Sequence, residues 1–294
     1  MTTPPVCSYE GSDYQTSFWE QGGRAYEDAA EAIALRRLLP EGGARLLELG
    51  AGAGRNTPRY AGFEQVVLVD YSVTQLQQAR QRLGDEGRYR YVAANIYHLP
   101  FVPGLFDAAT MIRTLHHMAD APAALRQVRR TLQPGAHFVL EFANKRNVKS
   151  ILRWLARRQD WNPFSPEPIE FAALNFDFHP RQVRQWLAAE GFNVRRLLTV
   201  SHLRVGVLKR LLPVRLLAAL DGLLQPTGKW VQLSPSVFAG CQAEGDVPTA
   251  AEAGDFFACP SCNAPLADTP PELRCRACGK VWRVSEGIYD FRVD

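Results

Sequence analysis

The hydrophobic positions of the chain alternate between short continuous runs and longer stretches with helical spacing. The continuous runs are typical of parallel strands buried on both faces, and they occupy residues 45–49, 65–70, 89–95, 106–113, 136–142, 192–200 and 234–241. The stretches between them predict helices over residues 17–39, 72–83, 121–132, 151–159 and 179–191. This alternation predicts an α/β fold with a Rossmann-like, seven-stranded, doubly wound sheet whose last strand closes a hairpin.

Two segments, residues 146–189 and 201–233, interrupt this alternation and are interpreted as insertions on the substrate side. The first contains three prolines between residues 161 and 168, which exclude a regular helix and predict a loop over the substrate mouth. The second carries leucines and valines at helical spacing around Pro213, with basic residues among them, and predicts two short amphipathic helices. Such an element is either a lid packed on the domain or an element that lies on a membrane surface.

A glycine-rich turn follows the first predicted strand. Gly50, Gly52 and Gly54 alternate with other residues, and Thr57 and Pro58 then predict the capped start of a helix. Glycines let a ligand approach the backbone, and the first turn of a helix offers unpaired N–H groups. The spacing differs from the dinucleotide fingerprint, because that motif requires its third glycine one position further along. An ordinary tight turn between a strand and a helix is the alternative interpretation.

Polar residues also follow the second and fourth predicted strands. Asp70 ends the second strand twenty positions after Gly50, and its carboxylate can accept hydrogen bonds from both hydroxyls of a ribose. His116 and His117 follow the fourth strand, at the edge where open α/β sheets bind ligands. Histidine is the usual general base near neutral pH, so both are candidate catalytic residues. The alternative is that they pack and shape the loop.

The segment from Glu48 to Gly54, together with Asp70, resembles motif I and the following acidic position of class I S-adenosylmethionine (SAM) methyltransferases of the type 11 group. The resemblance implies SAM as cofactor, with the glycines beside its methionine moiety, Glu48 orienting the loop and Asp70 on the ribose. It places the adenine at Asn95 and Ile96, although this family commonly has aspartate where Asn95 stands. The cofactor residues that the resemblance implies are Glu48, Gly50, Gly52, Gly54, Asp70, Tyr71, Asn95, Ile96 and Arg113.

Composition and charge bear on the location and the partners of the protein. Hydrophobic residues make up 46% of the chain and charged residues 22%, as in ordinary globular proteins. The N-terminus lacks the features of a signal peptide and no run approaches the ~20 apolar residues of a membrane span, so we expect a cytoplasmic protein. The net charge is only +4, but residues 141–230 contain fifteen Lys and Arg residues against seven Asp and Glu residues. This excess predicts an anionic partner, or else a solvated helical surface.

Four of the six cysteines lie close together in sequence near the C-terminus. Cys259 and Cys262 form one C-x-x-C pair, Cys275 and Cys278 form a second, and twelve residues separate the pairs. Two such pairs supply four thiolates for a tetrahedral Zn²⁺ site, and four protein ligands make the metal structural. A redox dithiol is the alternative, but it would not need the second pair.

The cysteine pairs and the loss of apolar periodicity after residue 241 divide the chain into three parts: a catalytic domain (1–241), a linker (242–255) and a small β zinc ribbon (256–294). The last part, with Trp282 and Gly287-Ile-Tyr-Asp-Phe near the cysteines, resembles the Trm112-type zinc ribbon. Members of that family are small activating partners of methyltransferases, usually on a separate chain. The resemblance implies an intramolecular ribbon that packs on the catalytic domain.

Together, the two resemblances imply a SAM-dependent methyltransferase with a fused zinc ribbon, acting on a small-molecule or lipid-like methyl acceptor. Two alternatives stay open. The basic segment and the partners of Trm112-like proteins favour an RNA methyltransferase. The asparagine at residue 95 favours a SAM-binding regulator without catalytic activity.

Overall fold

The computed structural model describes residues 4–13, 15–85, 87–245, 254 and 256–293, and within them ten strands join into one sheet. Numbered along the chain, the strands are β1 (Gly43–Leu49), β2 (Phe63–Asp70), β3 (Tyr89–Ala93), β4 (Phe106–Met111), β5 (Leu132–Ala143), β6 (Ile169–Ala172), β7 (Asn175–Asp177), β8 (Phe192–Val200), β9 (Ser236–Ala243), β10 (Phe257–Ala258), β11 (Pro265–Leu266), β12 (Glu272–Arg274), β13 (Val281–Ser285) and β14 (Ile288–Asp290). The order across the sheet is β12-β13-β14-β3-β2-β1-β4-β5-β9-β8. β6 pairs with β7, and β10 with β11, outside this sheet.

Seven of these strands form the sheet that the sequence predicts. β3, β2, β1, β4 and β5 run parallel, and β9 pairs antiparallel with both β5 and β8. Side chains alternate between two apolar layers, so that Leu47 and Val67 belong to one buried cluster and Leu46 and Val66 to the other. Burial on both faces explains the continuous apolar runs. The predicted α/β fold with a closing antiparallel hairpin is confirmed.

The described part of the chain contains seven α-helices. They are α1 (Ala25–Leu38), α2 (Val73–Leu83), α3 (Ala121–Thr131), α4 (Val148–Leu155), α5 (Pro180–Ala189), α6 (Gly206–Leu211) and α7 (Val214–Leu224). Ser72 caps α2 by accepting a hydrogen bond from Gln75 N at 3.2 Å, and His179 caps α5 by accepting one from Arg181 N at 3.2 Å. Pro213 immediately precedes α7, so the two helices predicted around this proline are confirmed.

The segment after the glycine-rich turn differs from the prediction. It forms one turn of 3₁₀-helix, Thr57–Tyr60, and not an α-helix. Thr57 does not cap it, because the Thr57 hydroxyl donates to Oε2 of the buried Glu48 at 2.6 Å, and β2 begins shortly afterwards. The helix predicted over residues 17–39 is also shorter, because α1 begins only at Ala25, after two glycines.

The cysteine-containing segment extends the sheet at the edge of β3. β14 pairs in parallel with β3, with Tyr289 opposite Val92, and β13 and β12 continue outward in antiparallel pairing. Phe257 stacks on Phe101 with 6.1 Å between ring centroids, and it packs against Phe291 at 5.0 Å. These rings belong to the same buried cluster as one face of the sheet. The sequence predicted a packed module, but it gave no indication that the strands of this module would lengthen the central sheet.

Three further observations bear on the predictions. Among the described residues, each helix is too short or too polar to traverse a lipid bilayer. Residues 246–253 and 255, which make up most of the predicted linker, lie outside the described residues. The β6–β7 hairpin follows the proline-rich loop, where the sequence predicted no strands.

Candidate functional site

A cleft that is partly open to solvent lies at the carboxyl ends of β1, β2 and β4. Its lining includes Gly50, Gly52 and Asp70, together with residues of the N-terminal segment such as Tyr9 and Trp19. β1 pairs with β2 on one side and with β4 on the other, so the cleft lies at the topological switch point of the sheet. Open α/β sheets bind their ligands at this point.

The glycines of the turn have different structural tasks. All three adopt positive φ angles, +65° at Gly50, +53° at Gly52 and +72° at Gly54, which side chains rarely tolerate. A Cβ atom at Gly50 would lie 2.1 Å from Oγ1 of Thr114, and one at Gly54 would lie 2.8 Å from Leu83. A Cβ atom at Gly52 would meet nothing closer than 3.8 Å. Gly50 and Gly54 are therefore required by packing, whereas the open side of Gly52 borders the cleft.

The carboxylate of Asp70 faces the glycine turn. Its Oδ2 accepts a hydrogen bond from Gly52 N at 2.8 Å, and its Oδ1 accepts one from Ser72 N at 2.9 Å. Burial raises the pKa of Asp70 above its ordinary value, although these backbone N–H groups act in the opposite direction. Each carboxylate oxygen keeps a second lone pair, so Asp70 can accept further hydrogen bonds from a ligand in the cleft.

Gln75, which the sequence analysis did not identify, lines the same cleft. Its Nε2 donates to the carbonyl of Ser12 at 2.9 Å, whereas its buried Oε1 has no hydrogen-bond partner among the described residues. Buried acceptors are nearly always satisfied, so this atom is available to a donor from a molecule in the cleft, either a water or a ligand. The spacing Ser72-x-x-Gln75 is that of a helix capping box, which predicts a structural role for Gln75 and no contact with a ligand.

Glu48 lies behind the turn and does not line the cleft. Burial raises the pKa of Glu48 to about 7, despite the hydrogen bond from Thr57 and the nearby guanidinium groups of Arg55 and Arg59. Its contact with Thr57 ties β1 to the short helix that follows the turn. The structure therefore places Glu48 where it supports the shape of the loop.

Two arginines on the cleft wall are held by one buried acid. Glu31 of α1 accepts from Nε of Arg113 at 2.7 Å and from Arg55 at 2.7 Å. Burial alone would raise the pKa of Glu31, but the two guanidinium groups lower it below its ordinary value. The Arg55 guanidinium also lies 3.5 Å from the ring centroid of Trp19. Helix α1 and the N-terminal segment are thereby attached to the cleft.

The residues that the sequence assigned to adenine separate in the structure. Ile96 lines the cleft, as does Tyr71, which follows Asp70. Asn95 does not belong to the lining, because its Oδ1 accepts from Tyr97 N at 2.9 Å and caps a short 3₁₀ turn. An asparagine fulfils this capping role as well as an aspartate.

The two histidines also differ. His117 lines the cleft, with Nδ1 3.0 Å from the carbonyl oxygen of Leu174 and Nε2 3.1 Å from the hydroxyl of Tyr9. A carbonyl only accepts, so Nδ1 carries the hydrogen and Nε2 is left as an acceptor. Burial lowers the pKa of His117, which favours this neutral form. His116, whose ring centroid is 4.0 Å from that of His117, does not line the cleft.

The four cysteines of the two C-x-x-C pairs meet at one point. Their sulfur atoms all lie within 4.8 Å of one another, with 3.7 Å between Cys259 and Cys278 and 3.5 Å between Cys262 and Cys275. A regular tetrahedron of thiolates around Zn²⁺, with Zn–S bonds of about 2.3 Å, requires sulfur–sulfur distances of about 3.8 Å. The cluster therefore has the dimensions of a Cys₄ zinc site.

Comparisons with known proteins agree with this geometry. Residues 47–140 match the sequence model of a family described as a methyltransferase domain. The O-methyltransferase cnsE of Penicillium expansum is 31% identical over 47% of this chain and 54% of its own length. A ubiquinone/menaquinone biosynthesis C-methyltransferase of Shewanella sp. (strain W3-18-1) is 30% identical over 51% of this chain and 66% of its own length. The chain thus contains a methyltransferase domain and spans about half to two thirds of these relatives.

A solved structure gives the same fold over a longer part of the chain. It is a complex between the Trm112 methyltransferase activator of Haloferax volcanii and a methyltransferase. The match has a TM-score of 0.56 and 15% sequence identity, and it covers 79% of this chain and 96% of the other. At this level of identity the likeness establishes the Rossmann-like methyltransferase fold.

Proposed function

We propose that this chain, with its methyltransferase domain, transfers a methyl group from SAM to a small-molecule or lipid-like acceptor. The observation that carries the proposal is the carboxylate of Asp70, which accepts from Gly52 N at 2.8 Å while both residues line one cleft. A side chain on the opposite face of the sheet could not do so. The arrangement supports a nucleoside held between the glycine turn and the acid, at the switch point of the sheet.

Three features of the cleft fit SAM. The open side of Gly52 leaves space for the methionine moiety, and the unpaired Oε1 of Gln75 can accept from an ammonium group beside it. Asp70 has lone pairs free for the ribose hydroxyls. Ile96 offers an apolar surface and a backbone N–H to the adenine, while Asn95 fixes the turn that carries Ile96.

The chemistry requires alignment, exclusion of water and, for a hydroxyl acceptor, a base. When bound, SAM supplies an electrophilic methyl group on a sulfonium sulfur, and the acceptor displaces the sulfur in line. The N-terminal segment, including Tyr9 and Trp19, covers the cleft and limits access of water. His117 Nε2 is the available acceptor for the proton of a hydroxyl, with the Tyr9 hydroxyl as its present donor. Loss of turnover in His117→Gln without a change in SAM affinity is the result that this role requires.

The names of the relatives favour a small acceptor. One is an O-methyltransferase, and the other is a C-methyltransferase of ubiquinone and menaquinone biosynthesis. The β6–β7 hairpin contacts His117 through the carbonyl of Leu174 and therefore lies beside the cleft. An insertion at this position can contact the methyl acceptor and thereby determine which acceptor the protein binds. Formation of S-adenosylhomocysteine with quinone-like phenols and not with RNA is the expected outcome.

We further propose that the four cysteines hold a structural Zn²⁺ in a ribbon (256–294) that follows the catalytic domain (1–241) and the linker (242–255). The sulfur spacing and the coverage of the β3 edge support this organisation. The complex from Haloferax volcanii contains an activator of methyltransferases, and we infer a comparable task for the ribbon within this single chain. With four protein ligands, the metal has no open position for chemistry.

Calorimetric titration with SAM tests the cofactor assignment. Asp70→Ala removes two acceptors for ribose hydroxyls, and we expect the affinity for SAM to fall by at least about tenfold. The matched control is Asp85→Ala, which removes an exposed carboxylate that pairs with Arg80 and does not line the cleft. Equal SAM affinity in the wild type and Asp70→Ala would remove the ribose assignment, and with it the proposed cofactor site.

A further inference from the structure

Two helices of the insertions expose apolar stripes to solvent. In α4, Val148, Leu152 and Leu155 occur at positions i, i+4 and i+7, and Leu155 is 64% exposed. In α7, Leu216, Leu220 and Leu223 repeat the same spacing, and Leu223 is 77% exposed. Residues at this spacing lie on one face of a helix. The opposite face of α7 is already buried against α1 and β8, so this helix has a second apolar face that no described residue covers.

The stripe of α4 begins beside the segment that follows α7. The carbonyl of Leu233 accepts from Val148 N at 3.0 Å, and the carbonyl of Gln232 accepts from the side chain of Asn144 at 3.2 Å. Between α7 and this junction, Trp230 is 75% exposed. We define the apolar face as the exposed residues Val148, Leu152, Leu155, Val207, Leu211, Leu216, Leu220, Leu223, Trp230 and Val231.

The charges around the apolar face are almost all positive. Residues 146–159 and 204–233 contain ten Lys and Arg residues and a single acidic residue, Asp221. Asp221 is fully buried and accepts hydrogen bonds from Tyr26 and His202, so it does not offset the charge at the surface. Exposed basic residues beside the stripes are Lys149, Arg153, Arg210, Arg215 and Lys229.

We propose that the apolar face docks on an anionic phospholipid membrane. Helices with an aliphatic stripe and flanking Lys and Arg residues lie in the interface, where the stripe enters the acyl region and the cations meet lipid phosphates. An exposed tryptophan favours the same boundary. Nucleic acid would satisfy the basic residues but leave the aliphatic stripes in water. A second copy of this face would bring like charges together across a two-fold axis.

The docking surface is attached to the cleft through α1. Lys209 of α6 binds Glu27 at 2.9 Å, and Glu31, one turn further along α1, holds the two arginines of the cleft wall. A lipid-like acceptor would then enter the cleft from the side of the docked surface. This last step rests on the proposed function, whereas docking itself does not.

Vesicle flotation with the full chain tests the proposal. We expect the protein to float with vesicles of phosphatidylcholine and phosphatidylserine, and weakly with phosphatidylcholine alone. Leu152→Ser/Leu223→Ser should lower the partition coefficient by about tenfold per leucine, and Arg153→Glu/Arg215→Glu by more than about fivefold per arginine on anionic vesicles. These residues are exposed, so folding should be unaffected.

Two controls keep the result specific. Arg274→Glu/Arg283→Glu alters the net charge equally at exposed positions of the ribbon, and Phe171→Ser removes an exposed aromatic residue outside the apolar face. Both variants should bind vesicles like the wild type. Asp70→Ala should also bind them normally, so failure of the cofactor assignment and failure of docking are distinguishable.

Three outcomes would overturn the proposal. The first is equal binding of the wild type and Leu152→Ser/Leu223→Ser to anionic vesicles. The second is a stable dimer in light scattering that the leucine variant dissociates while vesicles are not bound. The third is salt-sensitive binding to RNA that Arg153→Glu/Arg215→Glu abolishes while vesicles are not bound.

Discussion

The two ends of the catalytic sheet carry additions of opposite character. Beside β3, the ribbon pairs its own strands with the sheet and buries Phe257 and Phe291 in the common core. Beside β8, α6 and α7 pack one face each and leave Leu211 and Leu223 in solvent. Apolar residues are buried in the core where the same chain supplies a strand to pair with and aromatic rings to pack against. They form an exposed apolar surface where the described part of the chain supplies no partner, and such surfaces mark interaction sites.

The largest effect is expected from loss of the metal, because the stability of the ribbon end depends on zinc and that of the β8 end does not. Cys259→Ser removes one of four thiolates, and because metal binding supplies the folding energy of small zinc modules, the ribbon should unfold and uncover β3. We expect loss of bound zinc, a melting temperature lower by at least about 10 °C, and aggregation. Atomic absorption and scanning calorimetry measure these effects. Cys7→Ser, which alters a cysteine outside the cluster, should keep the zinc content of the wild type.

A matched pair of truncations compares the ends directly. Phe257→Ala empties a fully buried site between Phe101 and Phe291, and it should lower the free energy of unfolding by about 3–5 kcal/mol. Leu223→Ala removes an exposed side chain and should change it by less than about 0.5 kcal/mol. Urea denaturation gives both values. Similar decreases in the free energy of unfolding for the two variants would mean that both ends of the sheet are packed to the same degree.

The last comparison concerns Glu48, which lies between the two ends. Its pKa in the folded protein is about 7, above the ordinary value of 4.5. The raised pKa contributes stability that is complete below about pH 4.5 and is lost as the pH rises through about 7, by up to about 3 kcal/mol. The stability of Glu48→Gln without cofactor should therefore fall less between about pH 5 and about pH 8 than that of the wild type.

The exposed Glu64→Gln is the control for this titration, and it should follow the wild-type pH profile. An identical decline in Glu48→Gln would show that Glu48 is ionised throughout this range. The acid behind the glycine turn would then be part of a charged network and not a buried neutral group.

Local patterns predicted most of the catalytic fold. The apolar runs predicted the seven parallel and antiparallel strands, and the helices predicted over residues 72–83 and 179–191 begin at the observed caps, Ser72 and His179. Caps and buried strands depend on residues close in sequence, so one sequence suffices to find them. The helix predicted after the turn was wrong, because Thr57 binds Glu48 and not the backbone N–H groups of a helix.

Long-range pairing was beyond these patterns. The register of β14 on β3 and the contact of Leu174 with His117 join residues far apart in sequence, and no periodicity encodes them. The acceptor role of Gln75 was equally hidden, because a glutamine in the first turn of a helix is unremarkable until its side chain is seen to lack a partner. Whether the apolar positions of α7 face protein or water is likewise decided only by tertiary packing.

The pairing of β14 with β3 has a consequence for biosynthesis. During translation, β3 leaves the ribosome long before β14, and its outer edge stays open to other chains throughout that interval. Once β14 has emerged, the tether between the two presents it at a high local concentration. A cell that makes this chain does not have to match the supply of two polypeptides, since every catalytic domain is produced with its own edge strand.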